Sequence, residues 1–139
     1  DARHHAENYL NRGADMIVPG EGEETLVEII GALSSGELES LNDIKGICFK
    51  GKEGNIFNTG DRKPLDLKEV HFPTYEGVDV SGYIQQWKNS HGFSSMAINS
   101  MRGCPFSCNW CSKSVFGNSY RRRDPLSVVE EMIFLRNTF

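Results

Sequence analysis

Three cysteines within eight residues are the strongest chemical signal in this sequence. Cys104, Cys108 and Cys111 have the spacing CxxxCxxC. Three thiolates so spaced can converge on one metal centre, because a loop wrapped around a four-iron, four-sulfur cubane places each sulfur on a separate iron. The fourth iron then lacks a protein ligand and can bind a chelating substrate or cofactor. The spacing therefore predicts an iron–sulfur site with one open iron.

Basic residues surround these cysteines, although the chain as a whole is acidic. The formal net charge is −4, yet residues 100–125 contain five basic residues and Asp124 as the single acidic one. The basic residues are Arg102, Lys113, Arg121, Arg122 and Arg123. This local excess favours an anionic ligand and would offset a negatively charged cluster, but it does not suggest a general nucleic-acid surface. The arginine run has a second interpretation, a solvated approach to the next helix.

Other interpretations of the cysteines stay open at this stage. A structural zinc site normally has four ligands, so His91, Cys48 or a partner chain would have to complete the set. Such a site would make the chain a binding module whose basic loop meets an acidic partner. The three cysteines could also share one face of a helix, but Gly103 and Pro105 disfavour a helix there. A disulfide would leave an odd thiol.

The first part of the chain has the pattern of an α/β layer. Residues 3–12 have one apolar helical face, and Met16 to Val18 form an apolar run typical of a parallel strand covered on both faces. A second helix follows, with Leu26, Ile29, Ile30 and Leu33 at helical spacing. Extended segments at 44–50 and 56–59, separated by turn residues, predict an antiparallel hairpin.

The remainder divides into a connection and a second unit. Residues 60–95 contain scattered Pro and Gly without a sustained period, which predicts a connecting segment. Residues 96–99 then predict a short strand that leads into the cysteine loop. After the loop, Asp124 and Pro125 predict the start of a helix in which Leu126, Val129 and Met132 or Ile133 follow the turns.

These residues also carry a family resemblance. The stretch from Arg102 to Pro125, with its Arg-Gly-Cys-Pro-Phe opening, an aromatic before the last cysteine and a later Phe116-Gly117, resembles the start of a radical S-adenosylmethionine domain. Upstream, Gly13-Ala14-Asp15, the Gly-Glu-Gly-Glu of residues 20–23 and the hairpin resemble the end of a cobalamin-binding domain. The combination is similar to Fe–S oxidoreductases related to magnesium-protoporphyrin IX monomethyl ester cyclase.

The resemblance implies a set of cofactors and partners. Cys104, Cys108 and Cys111 would bind a 4Fe–4S cluster, whose open iron chelates S-adenosylmethionine for cleavage to a 5′-deoxyadenosyl radical. Trp110 stands where the family places a residue against the adenine, although it could equally pack the loop. A flavodoxin- or ferredoxin-like electron donor and a small-molecule substrate are implied. Oxidative cyclisation and methylation are both open, and a methylthiotransferase is another alternative, although its usual additional cysteines are not found here.

Cobalamin is implied only for a longer protein. The usual ligand motif, Asp-x-His-x-x-Gly, has no match here, and the adjacent His4 and His5 do not have its spacing. The chain begins at Asp1 and ends within an apolar run at Phe139, so we expect an internal fragment that is inactive by itself. The absence of a signal-peptide pattern or an apolar stretch of about 20 residues predicts a cytoplasmic protein without a membrane span.

The expected fold class is α/β, in three parts. Residues 1–60 would be the C-terminal part of a Rossmann-like, cobalamin-binding type of domain with its β-hairpin. Residues 61–95 would be a linker. Residues 96–139 would begin a radical S-adenosylmethionine domain, as the first β/α unit of a partial TIM-type barrel with the cluster loop. A complete β/α barrel needs about 200 residues or more, so most of the substrate cavity would lie outside this sequence.

Overall fold

The computed structural model describes residues 2–113 and 115–139, apart from the side chain of Leu38; Asp1 and Ser114 lie outside the described residues. The helices are α1 (Ala6–Leu10), α2 (Glu23–Ser35), α3 (Val80–His91) and α4 (Pro125–Thr138). The strands are β1 (Met16–Ile17), β2 (Cys48–Lys50), β3 (Ile56–Asn58), β4 (Met101–Gly103) and β5 (Tyr120–Arg122). A short 3-10 helix spans Leu38–Asn42. This mixture of helices and strands confirms the α/β class.

The chain forms two compact units. The first contains the described residues up to Leu65 together with Gly103–Tyr120, and the second contains Asp66–Arg102 and Arg121–Phe139. The cysteine loop therefore belongs to the first unit, although both strands that flank it continue into the second.

In the first unit, three strands form one antiparallel sheet in the order β1-β2-β3. The hairpin of β2 and β3 was predicted, and the register pairs Phe49 with Phe57, whose rings stack 5.5 Å apart. The expectation of a parallel β1 is wrong, because Met16 and Ile17 pair antiparallel with Phe49 and Cys48. A continuous apolar run cannot identify the direction of the neighbouring strand, since both faces of either kind of strand can be covered.

Helix α2 covers this sheet through a face that differs from the predicted one. Ile29 and Ala32 join a core with Leu41, Ile44 and Ile47, whereas Ile30 is 62% exposed. The rotation is explained by a polar side chain: Thr25 is fully buried and its hydroxyl donates to the carbonyl of Lys45 at 3.0 Å. Burial of a hydrogen-bonded threonine is a tertiary effect that the apolar period does not contain.

In the second unit, α3 lies inside the segment predicted to be a connection. Asp79 caps this helix by accepting from the amide of Gly82 at 2.9 Å, and Gly92 ends it in the left-handed region. The sequence carries a signal for this helix: Val80, Tyr83, Ile84 and Trp87 fall at helical spacing, although of these Val80 is the buried one. The Asp and Gly caps are further signals that predict the helix.

Helix α4 begins where the sequence predicts. The side chain of Asp124 accepts from the amide of Leu126 at 3.0 Å, with Pro125 in the first turn. The predicted apolar face is nevertheless exposed: the exposed fractions are 71% for Leu126, 48% for Val129, 55% for Met132 and 47% for Ile133. Leu135 and Glu131 are buried instead. Apolar residues occur around most of this helix, so their spacing alone does not select one face.

Candidate iron–sulfur site

The cysteine loop connects two strands of a hairpin. β4 and β5 form a two-stranded sheet, and residues 104–119 lie between them. The amide of Cys104 donates to the carbonyl of Ser119 at 3.0 Å, and the amide of Arg123 donates to Ser100 at 3.0 Å. These partners run in opposite directions along the two strands, so the pairing is antiparallel. The strand predicted at 96–99 is absent there, and the strand lies at Met101–Gly103 instead.

A glycine is required where β4 enters the loop. Gly103 has φ +87°, in the left-handed region, and a β-carbon there would lie 2.7 Å from the carbonyl carbon of Ser119. A side chain would therefore meet the opposite strand at the position of the first loop hydrogen bond. Gly103 allows the two backbones to close below Cys104.

Cys108 and Cys111 occupy the ends of one tight turn. The amide of Cys111 donates to the carbonyl of Cys108 at 3.1 Å, which is the i to i+3 hydrogen bond of a β-turn. Such a turn keeps its first and last α-carbons within about 7 Å. The backbone thus already brings two of the three predicted ligands together, and Cys104 precedes them at the base of the loop.

The loop presents its sulfur atoms and aromatic rings to solvent. Cys104, Cys108 and Cys111 are free thiols in exposed positions. Trp110 is 88% exposed and Phe106 is 69% exposed. Trp110 therefore does not pack the loop, which removes one of its two interpretations. Its predicted contact with an adenine stays a prediction.

The second half of the loop is held by its own polar contacts. The carbonyl of Lys113 accepts from the amide of Gly117 at 3.1 Å. The side-chain Nζ of Lys113 donates to the side-chain oxygen of Asn118 at 2.8 Å. The hydroxyl of Ser119 donates to the carbonyl of Phe116 at 2.6 Å. These contacts hold together the described residues of this return segment, 113 and 115–119, before the chain enters β5.

A cavity of about 390 Å³ borders this return segment within the first unit. Gly20, Glu21 and Lys63 line it together with residues 115–119. Arg3 and Asp61 form an ion pair of 2.8 Å in its wall. No pattern in the sequence predicts this cavity, because its walls come from segments far apart in the chain.

Arg123, one of the basic residues around the cysteines, has a structural role. The side chain of Arg123 is 9% exposed and forms an ion pair with Glu131, whose side chain is 2% exposed. Arg123 also donates to the carbonyl of Asn99 at 3.0 Å and to the hydroxyl of Ser127 at 3.0 Å. The interpretation of the arginine run as a solvated approach to the helix is therefore wrong for Arg123, which is an interior residue.

The donor set fits an iron–sulfur cluster in its chemistry. Three free thiols on an exposed coil can supply thiolates, the ligands that such clusters require. Cys48 differs from them: it lies on β2 with 5% exposure, and burial, assisted by the charge of Asp61, raises the pKa of its thiol. Among the described residues, no group of three or more His, Cys, Asp or Glu side chains is already arranged around a metal position. Loop closure would have to bring Cys104 to the turn.

Comparison with known proteins identifies relatives of the chain. It matches no protein-family model. It is 32% identical over 120 residues to the anaerobic magnesium-protoporphyrin IX monomethyl ester cyclase of Rubrivivax gelatinosus, a match that covers 85% of the chain. The corresponding cyclase of Synechocystis is 33% identical over 124 residues, covering 89% of the chain. This chain is a homologue of part of these cyclases. The resemblance inferred from the sequence is confirmed.

The homologous cyclases are much longer than this chain. The chain spans 21% of the Rubrivivax protein and 23% of the Synechocystis protein. An uncharacterized methyltransferase of Pyrococcus horikoshii is 32% identical over 123 residues, which are 87% of the chain and 25% of that protein. Relatives thus include proteins named as cyclases and as methyltransferases.

A solved structure has the same fold. The cobalamin-dependent S-adenosylmethionine radical enzyme OxsB, solved with aqua-cobalamin and S-adenosylmethionine bound, matches 95% of the chain with a TM-score of 0.75 and 22% identity. The match covers 17% of the OxsB chain. The chain therefore has the fold of the matching part of OxsB.

Among the described residues, no helix is both long and apolar enough to cross a membrane.

Proposed function

We propose that this chain is the cluster-binding part of a radical S-adenosylmethionine enzyme, with Cys104, Cys108 and Cys111 as ligands of a 4Fe–4S cluster. The observation that carries the proposal is the loop itself, which holds three free, exposed thiols, two of them at the ends of one turn. Homology to the anaerobic cyclases supports the same assignment. When bound, the cluster supplies the electron that cleaves S-adenosylmethionine to a 5′-deoxyadenosyl radical.

The surrounding residues would bind and orient rather than react. Trp110 is free to contact the adenine because its ring is exposed beside Cys111. Lys113 adds positive charge near the cysteines, which offsets the charge of three thiolates and a carboxylate ligand. Gly103 lets the loop close at its base. Arg123 does not belong to this group.

The proposed domain organisation follows the sequence-based expectation. Residues 1–60 would end a Rossmann-like, cobalamin-binding type of domain, 61–95 would connect, and 96–139 would begin a partial TIM-type barrel. The fold likeness to OxsB, which contains cobalamin, supports this organisation. Helix α3 makes the connection partly helical. The remaining barrel units would have to come from residues outside this sequence.

The proposed reaction class is that of the homologues. The full-length protein would act on a small molecule in the cytoplasm, either as an oxidative cyclase or as a cobalamin-dependent methyltransferase. It would receive electrons from a flavodoxin- or ferredoxin-like donor. Relatives named as cyclases and as methyltransferases support both reactions, so the substrate stays open.

Anaerobic reconstitution of the full-length protein with iron and sulfide tests the proposal. We expect about four irons per protein and a reduced-state electron paramagnetic signal that shifts when S-adenosylmethionine is added. Cys108→Ala should lose both, whereas Cys48→Ala is the matched control and should keep both. Stoichiometric zinc with no iron signal would instead identify a structural zinc module and would overturn the proposal.

A further inference from the structure

We infer that Arg123 and Glu131 form a buried clamp that holds together the two chain segments flanking the cysteine loop. Arg123 and Glu131 would thus be positioning residues for the cluster site, without contact to the cluster. The inference rests on the proposed function where it concerns the cluster, and on the described contacts alone where it concerns the clamp.

The first observation is the burial of the pair. The side chain of Glu131 is 2% exposed and that of Arg123 is 9% exposed, and the two form an ion pair. A carboxylate and a guanidinium are rarely buried so completely unless each is paired, because removing either charge from water is costly. Nothing in the period of α4 favours a glutamate inside, so the pair needs an explanation beyond helix packing.

The second observation is the position of Arg123 at the base of the hairpin. Its backbone amide donates to the carbonyl of Ser100, and its side chain donates to the carbonyl of Asn99 at 3.0 Å. Ser100 immediately precedes β4, and Arg123 immediately follows β5. One residue therefore joins the segment that leads into the loop to the segment that leaves it.

The third observation connects this base to α4. The guanidinium of Arg123 also donates to the carbonyl of Ser127 at 3.3 Å and to its hydroxyl at 3.0 Å. Glu131 lies one helical turn beyond Ser127, on the same face of α4. The planar guanidinium thus contacts the incoming strand and two positions of the helix at once, which a lysine ammonium with a single nitrogen cannot do.

These contacts have a consequence for the cysteines. A cluster needs all three sulfur atoms in fixed positions, whereas the described part of the loop leaves the three cysteines exposed. Holding both ends of the loop reduces the conformations available to it before the cluster forms. Breaking the clamp should therefore weaken cluster retention and the response to S-adenosylmethionine, even in protein that remains folded.

The test compares Glu131→Gln with Glu130→Gln in the full-length protein. Glu130 is the exposed neighbour on the same helix, so Glu130→Gln removes the same charge without changing the clamp. Both variants are reconstituted anaerobically and compared at a temperature where circular dichroism shows them folded. We expect Glu131→Gln to need at least about tenfold more S-adenosylmethionine than Glu130→Gln to shift the electron paramagnetic signal. Equal iron content and an equal response in the two variants would overturn the positioning role.

A second arm does not depend on the cluster. Amide hydrogen exchange of the iron-free protein should be slow at Arg123 and should accelerate in Glu131→Gln but not in Glu130→Gln. Unchanged exchange at Arg123 would overturn the clamp itself. If the wild-type protein binds no iron while this exchange difference is found, the proposed function fails and the clamp stands.

Arg123→Lys keeps the test decisive if Glu131→Gln does not fold. It retains the charge opposite Glu131 but loses the simultaneous contacts to Asn99 and Ser127. We expect a folded protein with the weakened cluster response and the faster exchange at residue 123. An Arg123→Lys protein indistinguishable from wild type in both measurements would overturn the inference.

Discussion

A β-carbon on Gly103 would lie 2.7 Å from the carbonyl carbon of Ser119 and would overlap the oxygen bonded to it. That oxygen accepts the hydrogen bond from Cys104, so this close approach of the two backbones lies directly beside the first predicted ligand. The geometry of the cysteine loop thus depends on a residue without a side chain.

Gly103→Ala should therefore open the base of the loop. The positive φ alone costs about 1–2 kcal/mol for an alanine, and the overlap with Ser119 adds to it. Gly77→Ala is the matched control, because Gly77 has φ +80° with no atom within 4 Å of its β-carbon position. We expect Gly103→Ala to lose more thermal stability than Gly77→Ala and to accelerate amide exchange at Cys104. Equal melting temperatures would contradict the importance of the close approach.

The reactivity of the thiols should separate the four cysteines. The three loop cysteines are exposed, whereas Cys48 is 5% exposed and burial raises the pKa of its thiol. In iron-free protein at pH 8, we expect iodoacetamide to modify Cys48 at least about tenfold more slowly than the loop cysteines, because the thiolate is the nucleophile. Peptide mass spectrometry over time measures the rates. The difference should disappear in denaturant, and its persistence there would show that folding is not its cause.

The free energy of unfolding should depend on pH in the alkaline range because of Cys48. The folded state raises the pKa of this thiol above its ordinary value of 9.0, so the unfolded chain ionises first. The stabilisation from the neutral buried thiol is fully present below the unfolded pKa and is lost as the pH rises through the folded pKa. We expect the stability difference between wild type and Cys48→Ala to shrink above about pH 9. A constant difference from pH 7 to pH 10 would contradict the raised pKa.

Local signals in the sequence identified the features that neighbouring residues determine. The cysteine spacing, the β2–β3 hairpin and the start of α4 at Asp124 and Pro125 all depend on residues a few positions apart. The direction of β1, the pairing of β5 with β4 and the burial of Glu131 depend on distant partners. The sequence alone does not distinguish Glu131 from an exposed helical glutamate, because its burial depends on the ion pair with Arg123.

The stability that the ion pairs of Arg62 contribute, between helix α2 and the segment after β3, should depend on salt concentration. Arg62 forms ion pairs with Glu24 and Glu28. The hydrogen bond that Arg62 donates to Glu28, partly opposed by desolvation, raises the pKa of the Arg62 guanidinium. Both carboxylates are about half exposed, so solvent screens the pairs. We expect Arg62→Gln to lower the free energy of unfolding by about 1 kcal/mol at low salt and by less at 1 M salt.

Lys63→Gln is the control for Arg62→Gln, because Lys63 is the exposed neighbour with the same charge. Urea unfolding at two salt concentrations measures both variants. A loss for Arg62→Gln that is the same at both salt concentrations would indicate that packing of its aliphatic stem, and not its charge, stabilises the contact.

Asp124 should stabilise the helix that contains one half of the clamp. Its carboxylate accepts from the amide of Leu126, and Asp124→Ala removes this cap at an expected cost of about 1 kcal/mol. Asp124→Asn keeps an acceptor and should cost only a fraction of that.

Because Arg123 precedes the cap directly and contacts Ser127 in the first turn of α4, fraying of that turn should also weaken the clamp. We therefore expect Asp124→Ala and Glu131→Gln together to cost less than the sum of their separate effects, as measured by a double-mutant cycle. Strict additivity would show that the helix start and the clamp are independent.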